Sequence, residues 1–242
     1  MCTVTFIPVE KKVFLVSSRD ECHTRKDALK PAFYKIPGGK LLYPRDTEAG
    51  GTWIALHENG NAVVLLNGGK KAHDADPPYR KSRGLVLLDL VAAQSPSALF
   101  LSMDLDNIEP FTVVCLDSGR LWEAVWDGEH RSVSRKDEKK PQIWSSVTLY
   151  DQSARAMREN WFEEWLVKKT TPSINDVLDF HRNTGDGNLH NDLLMNRGGH
   201  LYTVSITAME IGKTKGEMVY LDLRNDCTSD SGIMFTSPQA AI

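Results

Sequence analysis

Met1-Cys2-Thr3-Val4-Thr5-Phe6-Ile7-Pro8-Val9-Glu10-Lys11-Lys12-Val13-Phe14-Leu15-Val16-Ser17-Ser18-Arg19-Asp20-Glu21 opens the chain. Residues 3–7 and 13–17 are rich in β-branched and aromatic side chains, so they read as two strands; Pro8 to Lys12 supplies a polar turn between them. The hairpin ends in Ser18-Arg19-Asp20-Glu21. If Met1 is removed, Cys2 carries a thiol and a free α-amine on one residue. A thiol titrates at about 8.5 and an α-amine at about 7.7–8.0, so the amine can take the thiol proton near neutrality. The plainer reading of Cys2 is a small apolar residue at the start of a strand.

Outward from this hairpin, turn chemistry and periodicity divide the chain. Residues 35–51, with Pro37-Gly38-Gly39 and Gly50-Gly51, read as a long loop. A second hairpin joins residues 52–56 to 61–66 through Glu58-Asn59-Gly60, where Asn-Gly provides the positive φ of a tight turn. Its second strand runs into Asn67-Gly68-Gly69. Residues 70–82 are a polar loop. Residues 83–94 carry Leu85, Leu88 and Val91 at helical spacing, and a shorter helix covers 96–103. Strands at 111–116 and 121–126 flank Asp117-Ser118-Gly119, and Lys136 to Lys140 is an exposed loop. Residues 153–168 form a helix capped by Ser153, with Met157, Trp161, Trp165 and Lys168 as its stripe; another helix covers 174–182. Residues 201–211 and 217–223 read as a closing hairpin. Strands separated by helix pairs imply an α+β layered domain, here one domain over residues 1–242.

Composition excludes several classes. A net charge of -3 gives no reason to expect a nucleic-acid partner, and no apolar run is long enough to be a transmembrane segment. The N-terminus has neither a basic n-region nor a long h-region, so no signal peptide is expected. Four cysteines without a CxxC pair argue against zinc and fit a cytoplasmic chain. There is no GxGxxG and no P-loop. His181, Asp186, His190 and Asp192 lie close in sequence without a metal-ligand template, so they read as a solvated loop and no metal is expected.

A cysteine amidase needs a nucleophile, a base, an oxyanion donor and positioning charges. Cys2 supplies the first two. Asp20 would hold the protonated amine, Arg19 would lower the thiol pKa or bind a substrate carbonyl, and the Asn67 amide would donate to an oxyanion. Singly, Arg19 and Asp20 are equally a solvated hairpin end, and Asn67 a turn residue.

Together with Ala49-Gly50-Gly51-Thr52-Trp53, Ser82-Arg83-Gly84 and the strand from Phe111 to Asp117, these segments resemble the NRDE family, also called the transport and Golgi organisation 2 family. Ser18 stands where the motif Asn-Arg-Asp-Glu has its asparagine. The resemblance implies a four-layer αββα sandwich of the N-terminal-nucleophile hydrolase type and kinship with cysteine amidases of the choloylglycine hydrolase type. It assigns catalytic roles to Cys2, Arg19, Asp20 and Asn67. Those amidases separate the Arg from the Asp; here the two are adjacent, and on a regular strand they face opposite sides. Ser146 falls where the family has Asn, and His200 where it has Arg; both are expected to contact substrate. The implied function is hydrolysis of a non-peptide C–N bond in a small-molecule amide. The alternative is a haem or acyl-lipid binding and trafficking protein using the same cleft, with no cofactor beyond haem as a ligand. His200 is then a haem ligand or general acid, or simply the start of a strand.

Overall fold

The computed structural model describes residues 3–237 and 239. Chain order begins β1 (Thr3–Val9), β2 (Lys12–Cys22), β3 (Leu29–Ile36), β4 (Gly39–Arg45), β5 (Ile54–His57) and β6 (Ala62–Asn67). Two helices follow, α1 (Arg83–Ala92) and α2 (Pro96–Ser102), then β7 (Phe111–Asp117), β8 (Arg120–Trp126), β9 (Arg131–Arg135) and β10 (Gln142–Ser145). The second helix pair is α3 (Gln152–Lys168) and α4 (Ile174–Asn183). The chain closes with β11 (Asn196–Arg197), β12 (Leu201–Ile211), β13 (Lys215–Asp222) and β14 (Cys227–Met234).

The strands form two seven-stranded antiparallel sheets. One runs β10-β1-β2-β12-β13-β14, with β11 paired to β12; the other runs in simple sequence order from β3 to β9. Parity on the strands sorts their side chains into layers. Val4, Phe6 and Leu15 point between the sheets and meet Leu56, Val64 and Val114 of the second sheet. Ile7, Phe14 and Val16 point the other way, onto Phe162 of α3 and Val177 and Phe180 of α4. On the outer face of the second sheet, Val63, Val113 and Cys115 pack under Leu87, Leu90 and Val91 of α1 and Phe100 of α2. The layers are therefore αββα, the architecture that the family resemblance implies. Each fully buried Leu, Val or Phe contributes about 1.5–3 kcal/mol, so the between-sheet layer holds the two sheets face to face.

The helix starts are set by side-chain caps. Ser82 accepts from the Leu85 N–H at the head of α1, and Ser173 and Asp176 form a reciprocal capping box on α4. The cap of α3 is Asp151, whose Oδ1 accepts from the Ala154 N–H at 2.8 Å, and not Ser153. Its buried stripe also differs from the expected one: Ala154, Arg158 and Phe162 are inside, while Met157, Trp161 and Trp165 are half-buried. A buried arginine displaced the apolar reading by one position.

The expected loop at 35–51 is largely a hairpin. β3 and β4 pair antiparallel around Pro37-Gly38, with Gly38 at φ +94°. β3 is an edge strand with most side chains half-exposed or exposed, and Pro31 falls at an irregularity in its register. That position tolerates a missing N–H, and it removes the alternation by which strands are read. β9, β10 and β14 are edge strands too, short or polar, and were not read as strands. β2 runs on to Cys22, so Arg19 and Asp20 lie inside the strand rather than at its exit.

Candidate functional site

The pairing of Thr3 with Ser18 fixes the register at the start of β1, one residue before Arg19 on β2. Arg19 faces between the sheets and is 3% exposed. Its Nη2 donates to Asp46 Oδ2 at 2.7 Å and lies 3.2 Å from Glu21 Oε1. The guanidinium sits 4.5 Å above the Trp53 ring. Asp46 also accepts from Arg25 Nε and Nη2 and from the N–H groups of Glu48 and Ala49. Burial pushes the Asp46 carboxyl up, but the Ala49 N–H and the Arg25 and Arg19 charges outweigh it and hold the pKa below the usual carboxylate range. Arg19 is thus a fixed cation with a fixed counter-charge.

Asp20, next on the strand, faces the helix layer, as the strand parity required. Its Oδ2 accepts from Tyr150 Oη at 2.8 Å and its Oδ1 from Thr203 Oγ1 at 2.6 Å. Arg19 and Asp20 therefore act on opposite faces of the first sheet. Ser18 shares the Asp20 face, where its hydroxyl lies 2.8 Å from His181 Nδ1. His181 is fully buried, with Nε2 2.9 Å from Thr5 Oγ1, so it is not part of a solvated loop. Burial and the nearby Arg158 charge push its pKa down to about 3. A neutral ring satisfies both hydroxyls, donating from one nitrogen and accepting at the other.

A cavity of about 440 Å³ opens beside Arg19. Its walls include Trp53, Asn67, Arg83 and Glu109, together with Glu21 and Asp46. Ala49, Gly51 and Thr52 line it as well, so the sequence segments that carry the family resemblance converge here. Gly51 shows why that segment is glycine-rich: a Cβ there would lie 2.4 Å from the Gly84 carbonyl carbon, where the chain crosses the head of α1. Arg83 follows the Ser82 cap into the wall and pairs with Glu109 at 3.0 Å. Arg25, Asp46 and Glu109 were missed in sequence because each sits in irregular chain: Arg25 in the turn just past β2, Asp46 directly after β4 and Glu109 shortly before β7. Arg83 was marked only by its place in Ser82-Arg83-Gly84.

Asn67 ends β6 and lines this cavity and a second one of about 280 Å³. Its carbonyl accepts from Ser146 Oγ at 2.9 Å, and that hydroxyl also lies 2.8 Å from Thr148 Oγ1. Ser146 is buried and on the wall of the second cavity. Arg19, Asn67 and Ser146 are thus brought together around the start of β1. His200 is not: it is exposed, lines neither cavity, and stacks edge-on against His23 with ring centroids 5.4 Å apart. Cys2 lies outside the described residues. Among those described, no three His, Cys, Asp or Glu side chains are grouped to hold a metal ion, and no helix is long and apolar enough to cross a membrane.

The family model described as Transport and Golgi organisation 2 matches residues 1–193. The chain belongs to the transport and Golgi organisation 2 family. No curated protein matches the sequence. Among solved structures, this family member is similar to a cysteine-to-alanine mutant of conjugated bile acid hydrolase from Clostridium perfringens. The TM-score is 0.63 and the identity 13%, with 96% of this chain and 92% of that chain covered. An N-acylethanolamine-hydrolyzing acid amidase ortholog from Caenorhabditis elegans matches with TM-score 0.59 and 10% identity over 86% of this chain and 92% of that one. An arginine-to-leucine variant of the Clostridium perfringens hydrolase matches with TM-score 0.57 and 12% identity, over 100% of this chain and 99% of that one. At these identities the likeness establishes the fold: this transport and Golgi organisation 2 family member has an N-terminal-nucleophile hydrolase fold.

Proposed function

We propose that the protein is a cysteine amidase that hydrolyses a non-peptide C–N bond of a small-molecule amide, with Cys2 as the N-terminal nucleophile after loss of Met1. The reading treats residues 1–242 as one domain, because the between-sheet core draws on side chains from Val4 to Ile233. The observation that carries it is the cavity beside Arg19 and Asn67. Cys2 is covalently joined to Thr3, Thr3 pairs with Ser18, and Arg19 comes next. The Cys2 α-amine takes the thiol proton, and the thiolate attacks the amide carbonyl carbon. The Asn67 side-chain amide donates to the oxyanion as the tetrahedral centre forms. Collapse breaks the C–N bond, and the ammonium returns its proton to the leaving amine. Water, deprotonated by the same amine, then cleaves the thioester and releases the acid. Arg19, immobilised by Asp46, supplies positive charge near the thiolate and the substrate carbonyl. Asp20 keeps lone pairs free after its bonds to Tyr150 and Thr203, and these can hold the ammonium.

The similar solved structures bear the names of a conjugated bile acid hydrolase and an N-acylethanolamine-hydrolyzing acid amidase, the second an amide-cleaving activity by name. The haem reading through His200 has less support, because that ring stands away from both cavities. The test is mass spectrometry of the purified protein followed by assay of octanoate release from N-octanoylethanolamine and N-octanoylglycine. Loss of Met1, turnover, and abolition of turnover by Cys2→Ala are expected. A retained Met1 excludes the mechanism.

A further inference from the structure

Asn67 stands between two cavities, and only the first is used above. The second, of about 280 Å³, lies against β10 and the first turns of α3. Ser145, the residue paired with Thr3, lines it along with Ser146 and Trp144. Of the four charged residues on its wall, Glu123 and Lys70 are already engaged. Glu123 accepts from Trp144 Nε1 at 2.6 Å and pairs with Lys136 at 3.1 Å. Lys70 pairs with Asp127 at 3.2 Å.

Arg155 differs. Its Nε is buried without a hydrogen-bond partner. Among the described residues no carboxylate forms an ion pair with its guanidinium, although exposed Glu159 follows one turn later on the same wall. A buried N–H without an acceptor costs about 1–3 kcal/mol. A guanidinium presents parallel donors whose spacing matches a carboxylate, and such charge-assisted pairs are about twice as strong as neutral hydrogen bonds.

We propose that this second cavity is a subsite for a carboxylate carried by the amine part of the substrate, anchored by Arg155, with the amide itself beside Asn67. The preferred substrates are then N-acyl amino acids rather than neutral N-acyl amines. The identity of the ligand rests on the amidase reading; the anion subsite does not.

Binding to the full-length Cys2→Ala protein separates the two. By calorimetry, N-octanoylglycine should bind at least tenfold more tightly than N-octanoylethanolamine. Arg155→Gln should remove most of that preference and leave N-octanoylethanolamine binding and the circular dichroism spectrum unchanged, while Arg155→Lys should keep part of it. Equal binding of the two ligands, binding of neither, or a preference that survives Arg155→Gln overturns the subsite. Octanoate release by the unmodified protein reads the amidase reading on its own. Arg155-dependent binding without any release keeps the subsite and refutes the amidase.

Discussion

The guanidinium of Arg158 lies 3.5 Å from the centroid of the Tyr150 ring, and the Tyr150 hydroxyl donates to Asp20. Arg158 is fully buried. It donates to Thr3 Oγ1, to the Asn191 carbonyl at 3.1 Å and to the Asp192 carbonyl at 2.7 Å. One side chain of α3 therefore ties the first described residue of β1, the chain after α4 and, through an aromatic face, the Asp20 carboxylate.

Arg158→Met, which keeps the stem and removes the donors, should cost about 3 kcal/mol or more, because two carbonyls and a hydroxyl lose charge-assisted partners inside the protein. Tyr150→Phe should cost about 1–3 kcal/mol by depriving buried Asp20 of a donor. The double variant should lose less than the sum, since both act on one network. Urea unfolding midpoints check this, and strict additivity would contradict the coupling.

His181 makes the fold sensitive to acid. Its folded pKa of about 3 lies below its ordinary 6.5, so the unfolded chain takes up the proton first. The contribution of the neutral ring is full above about 6.5 and is lost as pH falls towards 3, at up to about 1.4 kcal/mol per pH unit. Carboxylates also titrate there, so the informative quantity is the stability of the unmodified protein minus that of His181→Gln. That difference should shrink steadily between pH 6.5 and 4. A constant difference would mean that His181 is not buried neutral.

The sequence made the first hairpin, the Asn-Gly hairpin and the four helices legible because each carries a local turn, a cap or an apolar period, although α3 starts from Asp151 and buries Ala154, Arg158 and Phe162 rather than the expected stripe. β3, β9, β10 and β14 were illegible because edge strands need only one paired side and carry little alternation. The site divides the same way. Arg19, Asp20 and Asn67 were visible as strand-end polar residues. Asp46 and Glu109 reach the cavity only through long-range folding that no local pattern records, and Arg25 through the turn that follows β2. Arg158 was hidden by its charge, since a buried arginine reads as a surface residue until its acceptors are known.

The described cysteines should differ sharply as targets of iodoacetamide at pH 7.5. Cys22 is exposed, and hydrogen bonds from the Thr24 side chain and backbone lower its pKa. Cys227 is exposed too, whereas Cys115 is buried and burial drives its pKa up. Peptide mapping should show Cys22 and Cys227 alkylated in the native protein and Cys115 only in urea. Fast whole-protein alkylation is therefore no evidence about Cys2, whose reactivity must be read on its own peptide.

Asp46 and Glu48 both face Arg25, but only Asp46 also holds Arg19. The Asp46 and Arg19 side chains are 10% and 3% exposed, whereas Glu48 and Arg25 are 35% and 32% exposed. Solvent screens the outer pair, so Glu48→Gln should change stability by no more than about 0.5 kcal/mol. Asp46→Asn keeps the shape but leaves the buried Arg19 charge without its main partner, and should cost about 2–4 kcal/mol. If Arg19 acts on the substrate carbonyl, kcat/KM should fall in Asp46→Asn even at temperatures where the variant is fully folded. Glu48→Gln should leave it unchanged. Thermal unfolding and turnover of N-octanoylethanolamine, measured side by side, separate the structural loss from the positioning loss. A folded Asp46→Asn protein with full turnover would show that the orientation of Arg19 is immaterial to the chemistry.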